Sequence, residues 1–267
     1  MKRVAVLTSG GDAPGMNAAL RAVVRVGSAR DLEIIGVRQG FSGLIDGQLQ
    51  PLGARDVAGI IHLGGTMLGS ARAPEFREPE GRDRALAILN KHRIDGIVVI
   101  GGNGSLAGAH ALSTSGFPVV GVASTIDNDV NGADITIGVD TALNIALEAI
   151  DRLKTTASSH QRAFLVEVMG RNFGYLALMA GIAGGADVVV IPEVETDPDA
   201  VVRGLTDAYT LASHTGAAAV DRLVAGESGT FIALVKGSIA ALPLERVLTP
   251  KPPPDPELVK LAQLLAR

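Results

Sequence analysis

The sequence predicts an α/β protein built on a mainly parallel sheet. Three observations carry that prediction: short apolar runs recur along the chain, each gives way to glycine-rich turn residues, and a helical pattern follows. Alternating β and α periodicity is what a parallel sheet covered by helices requires. The predicted strands are Val4–Leu7, Ile34–Val37, Ile97–Ile100, Val119–Val122, Phe164–Val168 and Val188–Ile191. A chain of 267 residues, 47% hydrophobic, can form one large α/β domain or two smaller ones with a full core. Thirty-three glycines beside only 3% aromatic residues indicate many tight strand-to-helix turns rather than stacking platforms, and make phosphate-binding loops plausible.

The first run opens into Thr8-Ser9-Gly10-Gly11-Asp12-Ala13-Pro14-Gly15-Met16-Asn17, followed by a helical stretch carrying Arg21 and Arg25. Free backbone N–H groups in such a loop can cradle phosphate oxygens, although a tight turn without a ligand explains the glycines equally well. No GxxxxGK[ST] pattern occurs, so this is not a Walker loop. Farther on, Arg72 of Gly69-Ser70-Ala71-Arg72, with Arg77 and Arg82, supplies guanidinium groups suited to polyphosphate or to surface ion pairs.

A second glycine loop, Gly101-Gly102-Asn103-Gly104-Ser105, follows the strand Ile97–Ile100 and opens another helix. Two such loops at strand C-termini would line one crevice. Thr125-Ile126-Asp127-Asn128-Asp129 then follows Val119–Val122. Its carboxylates stand at i and i+2, where one could take a hydroxyl proton while the other tunes it; an Asx-turn in a solvated loop is the alternative.

Leu143, Leu147, Ile150 and Leu153 repeat at helical spacing, with Asp140 as the expected N-cap. Met169-Gly170-Arg171 follows the predicted strand Phe164–Val168, and Ser159-His160-Gln161-Arg162 precedes it. Gly229–Leu244 alternates around Lys236-Gly237 as a β-hairpin would, and Lys251-Pro-Pro-Pro-Asp-Pro reads as an extended linker before a short helix.

Several function classes are excluded by composition. A net charge of −4 and a pI near 5.7 leave no basic stripe for nucleic acid. With no cysteine there are no disulfides, thiolate zinc sites or cysteine nucleophiles, as in a reducing compartment. The segment MKRVAVLTSGGD has too few apolar residues for a signal-peptide core, and no apolar run approaches a membrane span. A cytoplasmic protein without a membrane partner is therefore expected. None of the five histidines pairs with another at metal-ligand spacing, so any metal should be Mg²⁺ held through phosphates.

Taken in order, TSGGDAPGMNA, GSAR, GGNGS, TIDND, SSHQR, EVMGR and IPEVE closely resemble bacterial ATP-dependent 6-phosphofructokinase over nearly all of residues 1–195. The resemblance implies a cytoplasmic homotetramer of glycolysis, allosterically regulated. Each subunit would have two Rossmann-like α/β domains facing a cleft. The γ-phosphoryl group of MgATP would pass to the 1-hydroxyl of fructose 6-phosphate.

Carried onto this chain, the resemblance gives a nucleotide-binding domain of residues 1–138 plus about 211–250, and a shortened sugar-phosphate domain of 139–210 plus about 251–267. Gly11, Arg72, Arg77, Arg82, Gly104, Ser105 and Gly108 would hold ATP, with Arg72 also stabilising charge on the transferring group. Asp127 would be the general base, supported by Asp129 and Thr125, while Met169, Gly170 and Arg171 would contact the substrate. Arg162 would reach a neighbouring subunit's sugar phosphate. Arg21, Arg25, Lys154 and Asp187 match or approximate an effector site for ADP or phosphoenolpyruvate. Pyrophosphate-using relatives resemble GGDD and PKTIDND at the second and third loops; the small Gly104 and Ser124 here favour ATP.

The chain departs from the family pattern in two places. Asn103 stands where GGDGS has an aspartate that helps hold Mg²⁺, and its amide brings no charge. After Asp199 the family's substrate-binding glutamate and LGxxQRGGxPxxxDR segment do not appear, and Ala208–Gly216 already resembles the helix beyond them, so about fifty residues are missing internally. FIALVKGSIAALPLERVL resembles the family's late hairpin, which indicates an internal deletion. Three functions follow: a 6-phosphofructokinase of strongly reduced activity, a non-catalytic nucleotide- or effector-binding partner of a complete phosphofructokinase, or a sugar kinase for a smaller substrate.

Overall fold

Residues 4–7 illustrate how the core forms. Val4 and Val6 point to one face of the first strand and Ala5 and Leu7 to the other, and all four are buried. A strand apolar on both faces demands a helical layer on each side. The computed structural model describes residues 1–160, 162–226, 228, 230–235 and 238–245. It divides into two compact units: Met1–Asp151 with Val166–Gly184 and Ile191–Glu193, and Arg152–Leu165 with Gly185–Val190 and Val194–Arg267.

The first unit holds a sheet of β1 (Arg3–Ser9), β2 (Glu33–Val37), β3 (Leu49–Leu52), β4 (Gly96–Gly101), β5 (Val119–Thr125) and β6 (Ile137–Gly138). Its order is β3-β2-β1-β4-β5-β6. All neighbouring pairs are parallel except β2–β3, which places antiparallel β3, with its Pro51, at one edge. Four of the predicted strands are therefore present as β1, β2, β4 and β5. The short β3 and β6, four and two residues long, had no sequence signal of their own.

One face of this sheet is covered by α1 (Met16–Ser28), whose Met16, Leu20 and Val24 bury against Val4, Val6 and Ile100. The other is covered by α2 (Gly40–Ile45), α3 (Pro79–Lys91) and α4 (Asn103–Thr114), which pack Leu44, Leu89 and Leu112 against Leu7 and Val99. Each such fully buried aliphatic side chain contributes about 1.5–3 kcal/mol. A single turn of 3₁₀ helix, Pro74–Arg77, brings Phe76 against Phe41, their rings stacked at 4.2 Å.

Beyond β6, α5 (Val139–His160) begins two residues earlier than an Asp140 cap requires, so Asp140 lies in its first turn instead of capping it. There its charge still complements the helix N-terminus. Leu143, Leu147, Ile150 and Leu153 form the anticipated stripe, half-buried rather than fully enclosed. The first unit also contains α6 (Tyr175–Gly184), anchored by buried Leu176 and Ala180.

Phe164–Val168 and Val188–Ile191 are not strands. An apolar run becomes a strand only when a neighbouring backbone takes up its N–H and C=O groups, and among the described residues no strand lies beside either run. Their side chains stay accessible: Leu165 is 97% exposed and Val190 50%.

The second unit contains α7 (Pro198–Val224), which packs against an antiparallel hairpin of β7 (Thr230–Val235) and β8 (Ser238–Pro243). The predicted hairpin is thus present, in the register Val235↔Ser238. Its turn residues Lys236 and Gly237, and the predicted linker and helix from Lys251 onward, lie outside the described residues. Among the described residues no helix is long and apolar enough to cross a membrane.

Candidate functional site

At β1 and β4 the sheet order reverses, with β2 and β3 on one side and β5 and β6 on the other. In an open parallel sheet this switch leaves a crevice above the strand C-termini, where the loops diverge. The loops after β1, β4 and β5 are the three glycine-rich or carboxylate-bearing loops of the sequence.

The first two loops meet around Ser105. Its side chain is buried at 3% exposure, and a Cβ on Gly10 would lie 3.2 Å from Ser105 Oγ. At Gly101 a Cβ would sit 2.4 Å from the Ser9 carbonyl oxygen and 2.5 Å from Ser105 Oγ, so only glycine permits this approach. Gly101→Ala should destabilise the protein by about 3 kcal/mol, because backbone must move to admit the methyl group. A urea titration of the variant checks this, and an unchanged midpoint would show that the loops are not in contact.

Gly11 and Gly104 behave differently. Both are exposed, and a Cβ at either would meet nothing within 4 Å. They border open space beside the N-terminus of α4, whose first N–H groups have no side-chain cap. Such a surface suits an anionic group. Gly108, one turn further on, faces Phe41 and Phe76, and a Cβ there would come within 2.8 Å of the Phe41 ring.

The segment leading to Arg72 is fastened over the first loop. Thr8 Oγ1 bonds Thr66 Oγ1 at 2.7 Å and donates to the Gly69 carbonyl at 3.1 Å, while Ser70 Oγ donates to the Gly10 carbonyl at 2.7 Å. Asn17, 3% exposed, donates to the carbonyls of Leu63 and Gly64 and accepts from Met67 N–H. Arg72 and Arg77 project into solvent. Arg82 instead turns its guanidinium onto the carbonyls of Phe76 and Arg77, holding the 3₁₀ turn.

The third loop is tied back on itself. Thr125 Oγ1 accepts from Asp127 N–H at 3.2 Å, and Thr136 Oγ1 donates to the Thr125 carbonyl at 2.7 Å. Asn128, at φ 54°, accepts from Thr136 N–H at 3.0 Å and donates to the Asp134 carbonyl at 3.2 Å. Asparagine tolerates this left-handed conformation better than most residues, which explains why it separates the two aspartates. The Asp127 carboxyl is pushed above the ordinary aspartate range, chiefly by burial and further by the negative Asp129, with Arg171 pulling partly back. Met169 and Arg171 are exposed, and Gly170 adopts φ 130° between them.

Arg21 and Arg25 lie on α1 in the first unit, while Arg162, Lys154 and Asp187 belong to the second. Within that unit Arg162 N–H donates to the Ala157 carbonyl, and a Cβ at Gly185 would lie 2.9 Å from Lys154 Nζ. Sequence reasoning identified the three loops but assigned nothing to Asn17, Asn128 or Thr136. The only signal for Asn17 was an amide among apolar neighbours at the start of a helix.

The donor set does not fit a Mg²⁺ ion held by the protein at position 103. Asn103 is neutral and its Nδ2 donates to the Asp129 carbonyl at 3.1 Å. Among the described residues no three acidic or histidine side chains gather as a metal cluster.

Comparison with known proteins agrees with this architecture. Residues 3–238 match the family model for phosphofructokinase. The ATP-dependent 6-phosphofructokinase of Thermotoga neapolitana is 44% identical over 319 aligned positions, covering all of both chains. That of Streptococcus equi subsp. zooepidemicus is 56% identical over 209 positions, or 78% of this chain and 62% of the relative. Among solved structures, phosphofructokinase from Saccharomyces cerevisiae superposes with a TM-score of 0.71 at 33% identity, over 92% of this chain and 45% of that one. A pyrophosphate-dependent phosphofructokinase from Marinobacter aquaeolei, 20% identical with a TM-score of 0.65, shares the fold. With the family model matched over residues 3–238 and 44% identity across its whole length, the chain belongs to the phosphofructokinase family.

Proposed function

We propose that this protein is an ATP-dependent 6-phosphofructokinase whose turnover is strongly reduced. The observation that carries the reading is the arrangement within one unit of an open glycine cradle at Gly11 and Gly104 and a carboxyl, Asp127, whose affinity for a proton is raised. Gly11, Arg72, Arg77, Gly104 and Ser105 hold the nucleotide phosphates. Arg82 and Gly108 act from behind, by fixing the 3₁₀ turn and the packing of α4. Asp127 takes the proton of the sugar 1-hydroxyl as the phosphoryl group arrives, and Arg72 offsets the charge that develops on the transferring oxygens. Thr125 and Asp129 set the orientation and charge around Asp127, while Met169, Gly170 and Arg171 border the sugar phosphate. Any Mg²⁺ enters on the nucleotide's own phosphates, and the chain supplies no anionic ligand for it at position 103.

Reduced turnover follows from the two departures. Alignment with the Thermotoga relative occupies 319 positions against 267 residues here, which supports a deletion of at least 52 positions. The deletion removes the clamp for the sugar phosphate. The same two features favour a second reading, a nucleotide- or effector-binding partner of a complete phosphofructokinase, with Arg162 toward the neighbouring subunit and Arg21, Arg25, Lys154 and Asp187 toward an effector. Either form works in the cytoplasm as a homo-oligomer or mixed assembly. The functional halves are 1–138 plus about 211–250, and 139–210 plus about 251–267.

The test is a coupled assay with MgATP and fructose 6-phosphate beside a nucleotide titration. Weak turnover with clear nucleotide binding supports the first reading, binding without turnover the second, and neither binding nor turnover overturns both. Gly104→Leu should fill the cradle and lower nucleotide affinity by about a hundredfold or more, because an apolar side chain there takes the phosphates out of water and offers no hydrogen bond in return. Calorimetry at matched protein stability checks it.

A further inference from the structure

Asn103 is the first residue of α4, and its Nδ2 donates to the backbone carbonyl of Asp129 at 3.1 Å. This bond joins the loop after β4 to the loop after β5, at the tip of the segment bearing both aspartates. The loop's other ties run the opposite way, from Asn128 to Asp134 and Thr136, and from Thr136 to Thr125. Among the described residues no second hydrogen bond links residues 102–105 to 126–130.

The chemistry of the bond is specific to an amide. A carbonyl oxygen needs a donor, and an ionised aspartate has none. Aspartate at this position would set two oxygens against each other and release the tip of the loop. We propose that Asn103 is a positioning residue that ties the Asp127–Asp129 loop to α4 through its side-chain N–H, in place of any role as a metal ligand. Asn103→Asp therefore loosens the site instead of restoring a metal position. The consequence for turnover rests on the phosphofructokinase reading above; the tether itself does not.

The experiment compares the full chain with Asn103→Asp and Asn103→Ala by hydrogen exchange of the backbone amides of residues 126–136, with and without MgCl₂. Nucleotide titration and steady-state kinetics accompany it. Loss of one net hydrogen bond should raise exchange of the Asp127 and Thr136 amides about five- to tenfold in both variants, with or without Mg²⁺. Where turnover is measurable, kcat should fall by a similar factor while the KM for nucleotide stays within about twofold, because only the loop that faces the acceptor has been loosened. Asn103 is exposed, so both variants should fold, and a urea titration verifies that. The proposal fails if Asn103→Asp exchanges like the parent, or if Mg²⁺ protects its loop and raises its turnover. If the parent chain binds no nucleotide and turns nothing over, the functional reading falls, while the exchange comparison still decides the tether.

Discussion

Asp127→Asn should lower turnover of fructose 6-phosphate by about 10²–10⁴, the usual contribution of a positioned general base, with nucleotide affinity little changed. The amide is nearly isosteric, so the loop's geometry should survive: its ties are made by the backbone N–H of Asp127 and by Asn128 and Thr136, none of which needs the carboxylate. A second readout does not depend on activity. Burial and Asp129 make the charged form of Asp127 unfavourable in the folded protein, so its folded pKa lies above the unfolded one. The folded state then binds this proton more tightly, and the group's contribution to stability is lost as pH rises from the ordinary aspartate range through the raised folded value. The neutral amide of the variant carries no such penalty. The variant should be more stable than the parent at neutral pH, and the difference should vanish as pH falls below the ordinary aspartate range. The same shift moves the acid limb of kcat/KM upward from where a solvated aspartate would put it. Equal turnover in the variant would remove Asp127 from the chemistry; equal stability at every pH would show that its charge is not penalised.

Much of this site is legible in the sequence, because it is built from loops at strand ends and strand ends are marked by glycine. Val4–Leu7 and Ile97–Ile100 are strands because both faces are apolar and each lies between parallel neighbours, β1 between β2 and β4, and β4 between β1 and β5. The glycines that follow were legible for the same reason: Gly101 has no room for a side chain. Phe164–Val168 shows the limit of that logic. Its sequence is apolar apart from Glu167, yet strand formation is decided by a partner backbone, which local periodicity does not report. Leu165, at 97% exposure, is apolar in sequence and solvated in structure. Arg82 likewise holds two carbonyls of the 3₁₀ turn, contacts that its place in the sequence does not report. The fastening residues were illegible for another reason. Asn128, Thr136 and Asn103 act through hydrogen bonds to groups 6 to 26 positions away, and no spacing rule encodes them.

Asn17→Asp should be among the most damaging single changes outside the apolar core, costing about 3–5 kcal/mol at neutral pH. The parent side chain uses both ends of its amide: Nδ2 serves the carbonyls of Leu63 and Gly64 at 3.0 and 3.1 Å, and Oδ1 accepts Met67 N–H at 2.8 Å. The carboxylate keeps the acceptor but replaces the donor with an oxygen facing two carbonyls, at a position 3% exposed. It must either remain charged beside those oxygens or take up a proton, so its folded pKa rises well above that of a solvated aspartate. The sign follows directly: the loss should be largest at neutral pH and shrink as pH falls through the carboxyl range, where a protonated oxygen can again donate. Asn17→Leu, which removes the charge along with the hydrogen bonds, should cost about 2–3 kcal/mol with no such pH dependence. Denaturant midpoints of both variants across the acidic range separate the two behaviours. Function should follow the same order, because Leu63–Met67 lead directly into Ser70 and Arg72, and Ser70 is tied to the Gly10 carbonyl. A segment released at Asn17 leaves Arg72 without a fixed place over the first loop, so nucleotide affinity should fall in Asn17→Leu even at a temperature where the protein is fully folded. If that affinity is retained, the bonds from Thr8 and Ser70 alone hold the arginine segment, and Asn17 serves stability only.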